Sequence, residues 1–446
     1  MIATLRNRDF TLLWLGGMIS LAGDWTLNIG LPIALFALTH SILVLSVALA
    51  MGMLPSVLFG SFAGVFVDRW DRRRTLIVSN LLLAALLLPV LLVRSASLIW
   101  IIYPIMFLES CLEQFTRPAQ SALLPSLVGA DHIAPANSLL SVSNNLARLF
   151  GPALGGLIAG FFGLTGVALA DGASFLLAAL LITMIGWRAP TSTTQLATST
   201  DEHPLTKGMR EWLDGLRVIF RERTLAVIFA VVSITSIGEG VMSVLFVVFV
   251  VTSLHGGAQD LGGMMSAQAV GGLIGGALCG LLGTRLLSRW SLGLSAMVFG
   301  AIDLAIFNAP RYFAEMVALP RLSWLSPVTL LAWELGLFLI VGIPGVLMFT
   351  GLQSLLQSRA PERYLGRVFG ALGACMALFS IAGTGVAGWL GPRFGAVTLL
   401  NIQGAGYIVV GALLTLLITR ATAARAPEAP AVEDEPAASS AATDFA

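Results

Sequence analysis

ILVLSVALAMGMLPSVLFGSFAGVFV, residues 42–67, runs 26 residues without a charge and ends on DRWDRRR, residues 68–74. A helix needs about 20 apolar residues to cross a bilayer core of about 30 Å, and backbone groups in lipid must be satisfied within the segment, so 42–67 reads as a membrane helix. The same reading extends outward to twelve spans, at 10–38, 42–67, 74–93, 98–117, 136–162, 165–187, 224–252, 261–284, 290–307, 328–356, 364–390 and 394–419. With the N-terminus placed in the cytoplasm, the inner stretches carry twenty of the Lys and Arg residues and the outer ones four, Arg94, Arg311, Arg321 and Arg393. That asymmetry predicts both termini on the cytoplasmic side of a plasma (inner) membrane.

Composition agrees. The chain is 57% hydrophobic and 11% charged, which excludes disorder and a soluble domain. A net charge of +1 leaves no nucleic-acid footprint. The first apolar run is too long for a cleavable signal peptide and leads into a multi-span pattern. Cys111, Cys279 and Cys375 lie singly in three spans, and the four histidines fall in the breaks without clustering. Neither a disulfide framework, a metal site nor a Ser-His-Asp or Cys-His grouping is expected, so the chain reads as no enzyme and as needing no cofactor.

The longest inner break divides the chain in two. The expected organisation is a six-helix bundle at 1–188, a cytoplasmic linker at 189–223, a second six-helix bundle at 224–420 and a disordered cytoplasmic tail at 421–446. Within the linker, Leu205, Met209, Trp212, Leu213, Leu216 and Phe220 recur at helical spacing among Lys207, Arg210 and Arg217, the pattern of an amphipathic helix on the inner leaflet. The halves echo one another. Gln120-Ser121-Ala-Leu-Leu follows span four as Gln353-Ser354-Leu-Leu closes span ten, and 64–74 follows span two as 280–289 follows span eight. Parallel repeats of this kind build many transporters, with the substrate between the halves. The fold class is therefore an all-α membrane protein of twelve helices in two pseudo-symmetric six-helix bundles.

Two motifs sharpen this. Gly64-Val-Phe-Val-Asp68-Arg69-Trp-Asp71-Arg72-Arg73 resembles the loop signature G-x-x-x-D-R-x-G-R-[KR] of the major facilitator superfamily, with Asp71 at the second glycine. Gly151-Pro152-Ala-Leu-Gly155-Gly156 resembles the antiporter motif G-x-x-x-G-P-x-x-G-G, with Ala147 at the first glycine. Asn7-Arg8-Asp9-Phe10, Gly23-Asp24-Trp25, Arg117-Pro118-Ala119 and Asp171-Gly-Ala-Ser-Phe175 resemble the branch that holds macrolide efflux pumps and enterobactin exporters. The resemblance covers residues 6–420. It implies that spans one, four, seven and ten line a central cavity. It also implies that spans two, five, eight and eleven slide against one another, and that Asp68 meets the start of span eleven when the inner gate shuts. A carboxylate at a helix N-terminus gains about 0.3–1 kcal/mol, enough to bias two states. The arginine that many antiporters carry in span four is missing, with Glu109 and Glu113 there instead, so the usual proton relay does not carry over.

Ionisable groups inside spans are costly and mark function. Asp24, Glu109, Glu113, Glu239 and Glu334 fall on the four helices that the resemblance assigns to the cavity, and Arg148 lies in span five. Burial raises a carboxyl pKa and a nearby cation lowers it, so a carboxylate alternately buried and paired can load and release a proton. For any single acid a fixed ion pair is an equal alternative. Glu113 has Arg117 one turn away, and Asp171 and Asp303, on helices peripheral in the family, read as structural. Arg148 is about 18 Å along its span and Glu109 about 16 Å from the opposite face, which lets the two meet at mid-membrane. Gly272, Gly276 and Gly280, four apart, read as a close-packing stripe rather than a phosphate loop.

The expectation is a secondary active exporter of a lipophilic, cationic small molecule, exchanging it for protons by alternating access, with the bilayer and no nucleic acid as its surroundings and a monomer as its form. The alternatives are a facilitator, importer or siderophore exporter for a neutral or anionic solute, and a non-transporting membrane sensor or scaffold.

Overall fold

The computed structural model describes residues 2–59, 70–129, 132–186, 216–217, 219–283, 289–317, 327–361 and 364–417. After a short helix at Ile2–Leu5, span one is Arg8–Thr39 and span two Ile42–Phe59. Span three is Arg72–Leu86, continued by a 3-10 turn at Leu88–Leu92, and span four is Ile102–Val128. A single helical run, Ile133–Thr183, follows with 51 residues. Straight, it would be about 75 Å long, more than twice a bilayer core. It breaks at Gly163, where φ 61° and ψ −159° suit only glycine, and so supplies span five (133–162) and span six (164–183). Spans seven to twelve are Arg223–Thr252, Ala258–Leu282, Arg289–Val317, Pro327–Arg359, Leu365–Phe394 and Ala396–Leu417.

Local chemistry explains the ends. Asn7 caps span one by accepting from the Asp9 and Phe10 amides at 3.1 and 3.2 Å. Asp71 and Glu222 do the same for spans three and seven, from Arg74 N at 2.9 Å and Leu225 N at 2.8 Å. Proline sits inside several spans, as at Pro32, Pro55, Pro152 and Pro344, which neighbouring helices make tolerable in a membrane bundle.

Two boundaries differ from the sequence reading. Span four continues to Val128 rather than stopping near 117, because Pro118 and Pro125 are absorbed within the helix. Span nine runs to Val317, so Arg311 is helical and pairs with Glu315 one turn on at 3.1 Å. Of the expected amphipathic helix, 204–215 lies outside the described residues, as do 187–203 and the tail from 418. Its last turn is helical, but Ile219 is only 1% exposed and packs into the core of the second half, with Phe220 edge-to-face on Phe229 at 5.4 Å. That turn docks on protein through Ile219, while Phe220 stays 64% exposed.

The packing pairs repeat. In the first half span one packs on five and six, two on four, and three on four and six. In the second, seven packs on eleven and twelve, eight on ten, and nine on ten and twelve. Adding six to each number of the first set gives the second. Between the halves the main contacts are five with eight and two with eleven, which the same operation exchanges. Within the second half, glycine permits near backbone contact: Gly271 faces the Leu339 carbonyl, Gly342 the Gln268 carbonyl and Gly300 the Gly404 carbonyl.

Contacts between the halves cluster at the end away from the termini. Gly156 abuts the Ala258 carbonyl, Gly262 abuts the Pro152 carbonyl, and Ser266 Oγ accepts from the Ala153 amide at 3.1 Å. Gly388 lies against Ser46 and Gly391 against Ile42. At the arginine-rich end, a Cβ at Gly276, Gly280, Gly366 or Gly370 would meet nothing within 4 Å. Among the described residues the halves touch at the far end and are parted at the end that carries the termini. Gly276 and Gly280 therefore do not pack against a facing helix here, contrary to the stripe expected from their spacing, because the halves are parted at their level. Gly272 faces Val346 of span ten in its own half instead, where an added Cβ would come within 3.1 Å of that side chain.

Candidate functional site

The opening between the halves leads to a cavity of about 460 Å³. Its apolar wall includes Trp25, Met53, Met242, Phe246, Phe299 and Phe338, and its polar groups are Asn28, Glu239, Gln268, Asp303, Gln403 and Tyr407. Trp25, Asn28, Pro32, Leu49 and Met53 also wall a second cleft of about 340 Å³ in the first half, where Asp24, Glu109, Glu113 and Arg117 lie. The two form one pathway with carboxyls on both sides.

Span geometry places these acids. Glu109 and Glu113 are one turn apart on span four and share the face that Arg117 extends. Arg117 meets Glu113 at 3.7 Å with its own side chain 79% exposed, a pair worth at most about 1 kcal/mol. Asp24 sits midway along span one with Oδ1 buried and no protein partner. Next to it, Gly23 leaves room for Asp171 and Ser174 of span six. Asp171 is fully buried; Ser174 Oγ donates to its Oδ1 at 3.3 Å, and its Oδ2 has no partner. The charges that act on Glu109 are all carboxyls: Asp171, Glu113 and Asp24.

The expected meeting of Glu109 with Arg148 is not formed. Arg148 acts instead on Glu239 of span seven, across the gap between the halves. Glu239 faces the cavity, and Asp303 stands on the same wall, 4% exposed. Glu334 is fully buried with neither oxygen partnered, one turn from Phe338 of the cavity wall. An unpaired carboxylate in such surroundings costs several kcal/mol, relieved when it holds a proton or when a cation arrives. The arrangement can bind positive charge and can carry protons.

Around the antiporter motif, Trp25 fills the space a side chain at Gly151 would take, and a Cβ added at Gly155 would come within 2.9 Å of Thr26 Cα, so both seat span one in its own half. Pro152 and Gly156 touch span eight across the divide. Of the loop signature, Gly64, Asp68 and Arg69 lie outside the described residues. Arg72 donates to the Ala122 carbonyl at 2.9 Å, and Arg73 to those of Ile182 and Thr183 at 3.2 and 2.5 Å. Both arginines tie the start of span three to spans four and six, Arg73 at the last turn of span six, where the helix dipole favours a cation. Among the described residues no three His, Cys, Asp or Glu converge as a metal site.

Sequence reasoning did not single out Trp25, Gln403 and Tyr407, and it set Asp303 aside as peripheral. Gln403 and Tyr407 gave a signal, polar groups one turn apart in an otherwise apolar span. Trp25 entered only within the stretch Gly23-Asp24-Trp25, with no role of its own, since an aromatic in a membrane helix is ordinary.

A family model described as the Major Facilitator Superfamily matches residues 13–384. The chain is 27% identical over 404 residues to an uncharacterized MFS-type transporter, YfiS, of Bacillus subtilis, covering 90% of each. It is 24% identical to macrolide efflux protein A of Streptococcus pyogenes, covering 92% of this chain and 95% of that one. It is also 24% identical to the enterobactin exporter EntS of Citrobacter koseri, covering 92% and 91%. Among solved structures it is similar to a bacterial homologue of the iron transporter ferroportin in an inward-facing state, with TM-score 0.67, 17% identity and 94% and 99% of the two chains covered. The nucleoside transporter NupG is similar too, with TM-score 0.69, 13% identity and coverage of 92% and 100%.

Proposed function

The chain belongs to the Major Facilitator Superfamily, and on that premise we propose that it exports a lipophilic, cationic small molecule in exchange for protons. It is an integral membrane transporter and not an enzyme; substrate charge, direction and coupling are the proposal. The observation that carries it is the cavity between the halves, whose wall is aromatic and Met-rich yet holds Glu239 and Asp303, with Asp24, Glu109 and Glu113 in the adjoining cleft. Aromatic faces and carboxylates together suit an organic cation. An anionic siderophore would face these carboxyls with Arg117 as the one cation lining the pathway among the described residues, Arg148 bearing on Glu239. Likeness to macrolide efflux protein A supports export.

The open end is the arginine-rich one, which the charge asymmetry assigns to the cytoplasm. In that state the acids face the cell interior, where a substrate cation displaces a proton. Rocking of the halves about the five–eight and two–eleven contacts then exposes the loaded cavity outside. Everted vesicles holding the protein test this: with an acid lumen they accumulate a fluorescent lipophilic cation, and a protonophore releases it. Accumulation that survives the protonophore sinks the coupling.

A further inference from the structure

The first half contains a second chamber that the pathway above does not use. It is about 340 Å³ in volume and lies inside the bundle, walled by spans one, three, four, five and six. It begins near Leu13, Leu140 and Ile182 at the arginine-rich end and reaches Asp24 at mid-span. Asp24, Glu113 and Arg117 line both it and the first-half cleft, so Asp24 stands on the partition between the two.

The wall is unusual in its polarity and in how its hydrogens are used. Asn80 is 3% exposed; its Nδ2 donates to the Leu76 carbonyl at 2.8 Å, which fixes the amide, and its Oδ1 is buried without a partner. Ser143 Oγ gives its hydrogen to the Leu139 carbonyl at 3.2 Å, and Thr116 Oγ1 to the Leu112 carbonyl at 3.0 Å. Each turns its donor to its own helix and leaves its lone pairs free. Asp24 Oδ1 is likewise unpartnered. Arg117 and Gln120 bring donors to the same lining, yet Asn80 Oδ1 and Asp24 Oδ1 are met by none, and buried acceptors left so are costly unless something positive or hydrogen-donating faces them. The charged groups around Asp24 are Glu113, Asp171 and Glu109, with Arg117 opposing them. Since Arg117 neutralises Glu113, and Asp171 and Glu109 do not line the chamber, the lining keeps one net negative charge, matched by one positive charge.

We infer that this chamber is the site of a monovalent coupling cation, a proton on water or a sodium ion, held at Asp24 with Asn80 Oδ1 as a positioning acceptor. It lies apart from the substrate cavity and deepens the exchange reading by giving the ion its own place. The separation gives a bulky substrate and a small ion different ligands, Glu239 and Asp303 for the one and Asp24 for the other, in an exchange that loads them alternately.

The test needs no transport, so it survives if the export reading fails. The purified full-length protein is titrated by tryptophan fluorescence, Trp25 being next to Asp24, once with protons in sodium-free buffer and once with sodium at fixed pH. A response to protons alone identifies the proton, and one to sodium identifies sodium. Asn80→Leu weakens the midpoint by about tenfold in ion concentration, the scale of one hydrogen bond to a charged group. Asn80→Asp, which adds an anion at the same place, tightens it. Ser46→Ala, a buried polar residue outside the chamber, leaves it unchanged. A role in folding alone would damage both Asn80 variants alike. The inference is overturned if the wild type answers neither ion, or if the two Asn80 variants shift together or not at all. If Asn80→Leu does not fold, failure of Asn80→Asp to tighten the midpoint overturns it alone.

Discussion

The charges that bear on Glu109 are those of three carboxyls, whereas Glu113 on the next turn has Arg117 at 3.7 Å. That difference separates two neighbours of identical chemistry. Glu109→Gln keeps the shape and removes a proton site, so uphill accumulation in everted vesicles falls to the passive level while downhill substrate exchange persists. Glu113→Gln costs less, and equal loss in both variants would place coupling elsewhere. Glu239 faces the cavity, so Glu239→Gln weakens a cationic substrate about tenfold and spares a neutral analogue of equal size, since opposite charges near a protein surface gain about 1–4 kcal/mol at 4 Å. Loss of both ligands together would mean that Glu239 holds the wall rather than the charge. At this scale the sequence was half legible. A lone acid in an apolar run announces itself, which is how Asp24, Glu109 and Glu239 were found. That Arg148 bears on Glu239 and not on Glu109 depends on how two helices of different halves are placed, which no spacing along one helix records.

The helices themselves were legible because lipid allows few alternatives: an uncharged run of 20 or more residues must satisfy its own backbone. The ends were less so: the apolar reading closes span four at 117, whereas Pro118 and Pro125 are accommodated within a helix that runs to Val128. Glycine spacing carried a subtler ambiguity. It marks where helices can approach, not in which conformational state they do. Gly156 is in contact across the halves at the closed far end, while Gly276 faces open space at the parted end. The two glycines therefore predict opposite consequences for one substitution. Gly156→Leu cannot close the far end, so a thiol-reactive probe added from that side labels cavity cysteines that are shielded in the wild type. Gly276→Leu folds and binds substrate normally in the open state shown, but its side chain meets the facing half when the arginine-rich end shuts, and transport stops with the protein held open. Unchanged labelling in the first, or normal turnover in the second, contradicts this assignment of glycines to states.

Over the whole molecule, the repeat that was only a faint echo in sequence is plain in the packing, where adding six to each span reproduces every major contact. Sequence drift hides such symmetry because it constrains the backbones that cross, not the side chains that fill between them. The charges break the symmetry. The first half holds an internal chamber ending at Asp24, and the second holds Glu239 and Asp303 facing the larger cavity. A division of labour follows, with the ion in the first half and the substrate charge in the second. One exchangeable proton per singly charged substrate makes the cycle electroneutral, so a pH gradient drives it and a membrane potential does not. One pH unit is about 1.4 kcal/mol for each proton, which sets a limit of about tenfold accumulation per unit. A second proton would raise that to about a hundredfold and add about 2.3 kcal/mol per 100 mV. Proteoliposomes with an imposed pH step, and separately with a potassium diffusion potential, distinguish the two: the expected result is about tenfold accumulation per pH unit and none from the potential. Accumulation driven by the potential alone would show that more than one proton moves per substrate, and that carboxyls of the second half carry protons as well as substrate.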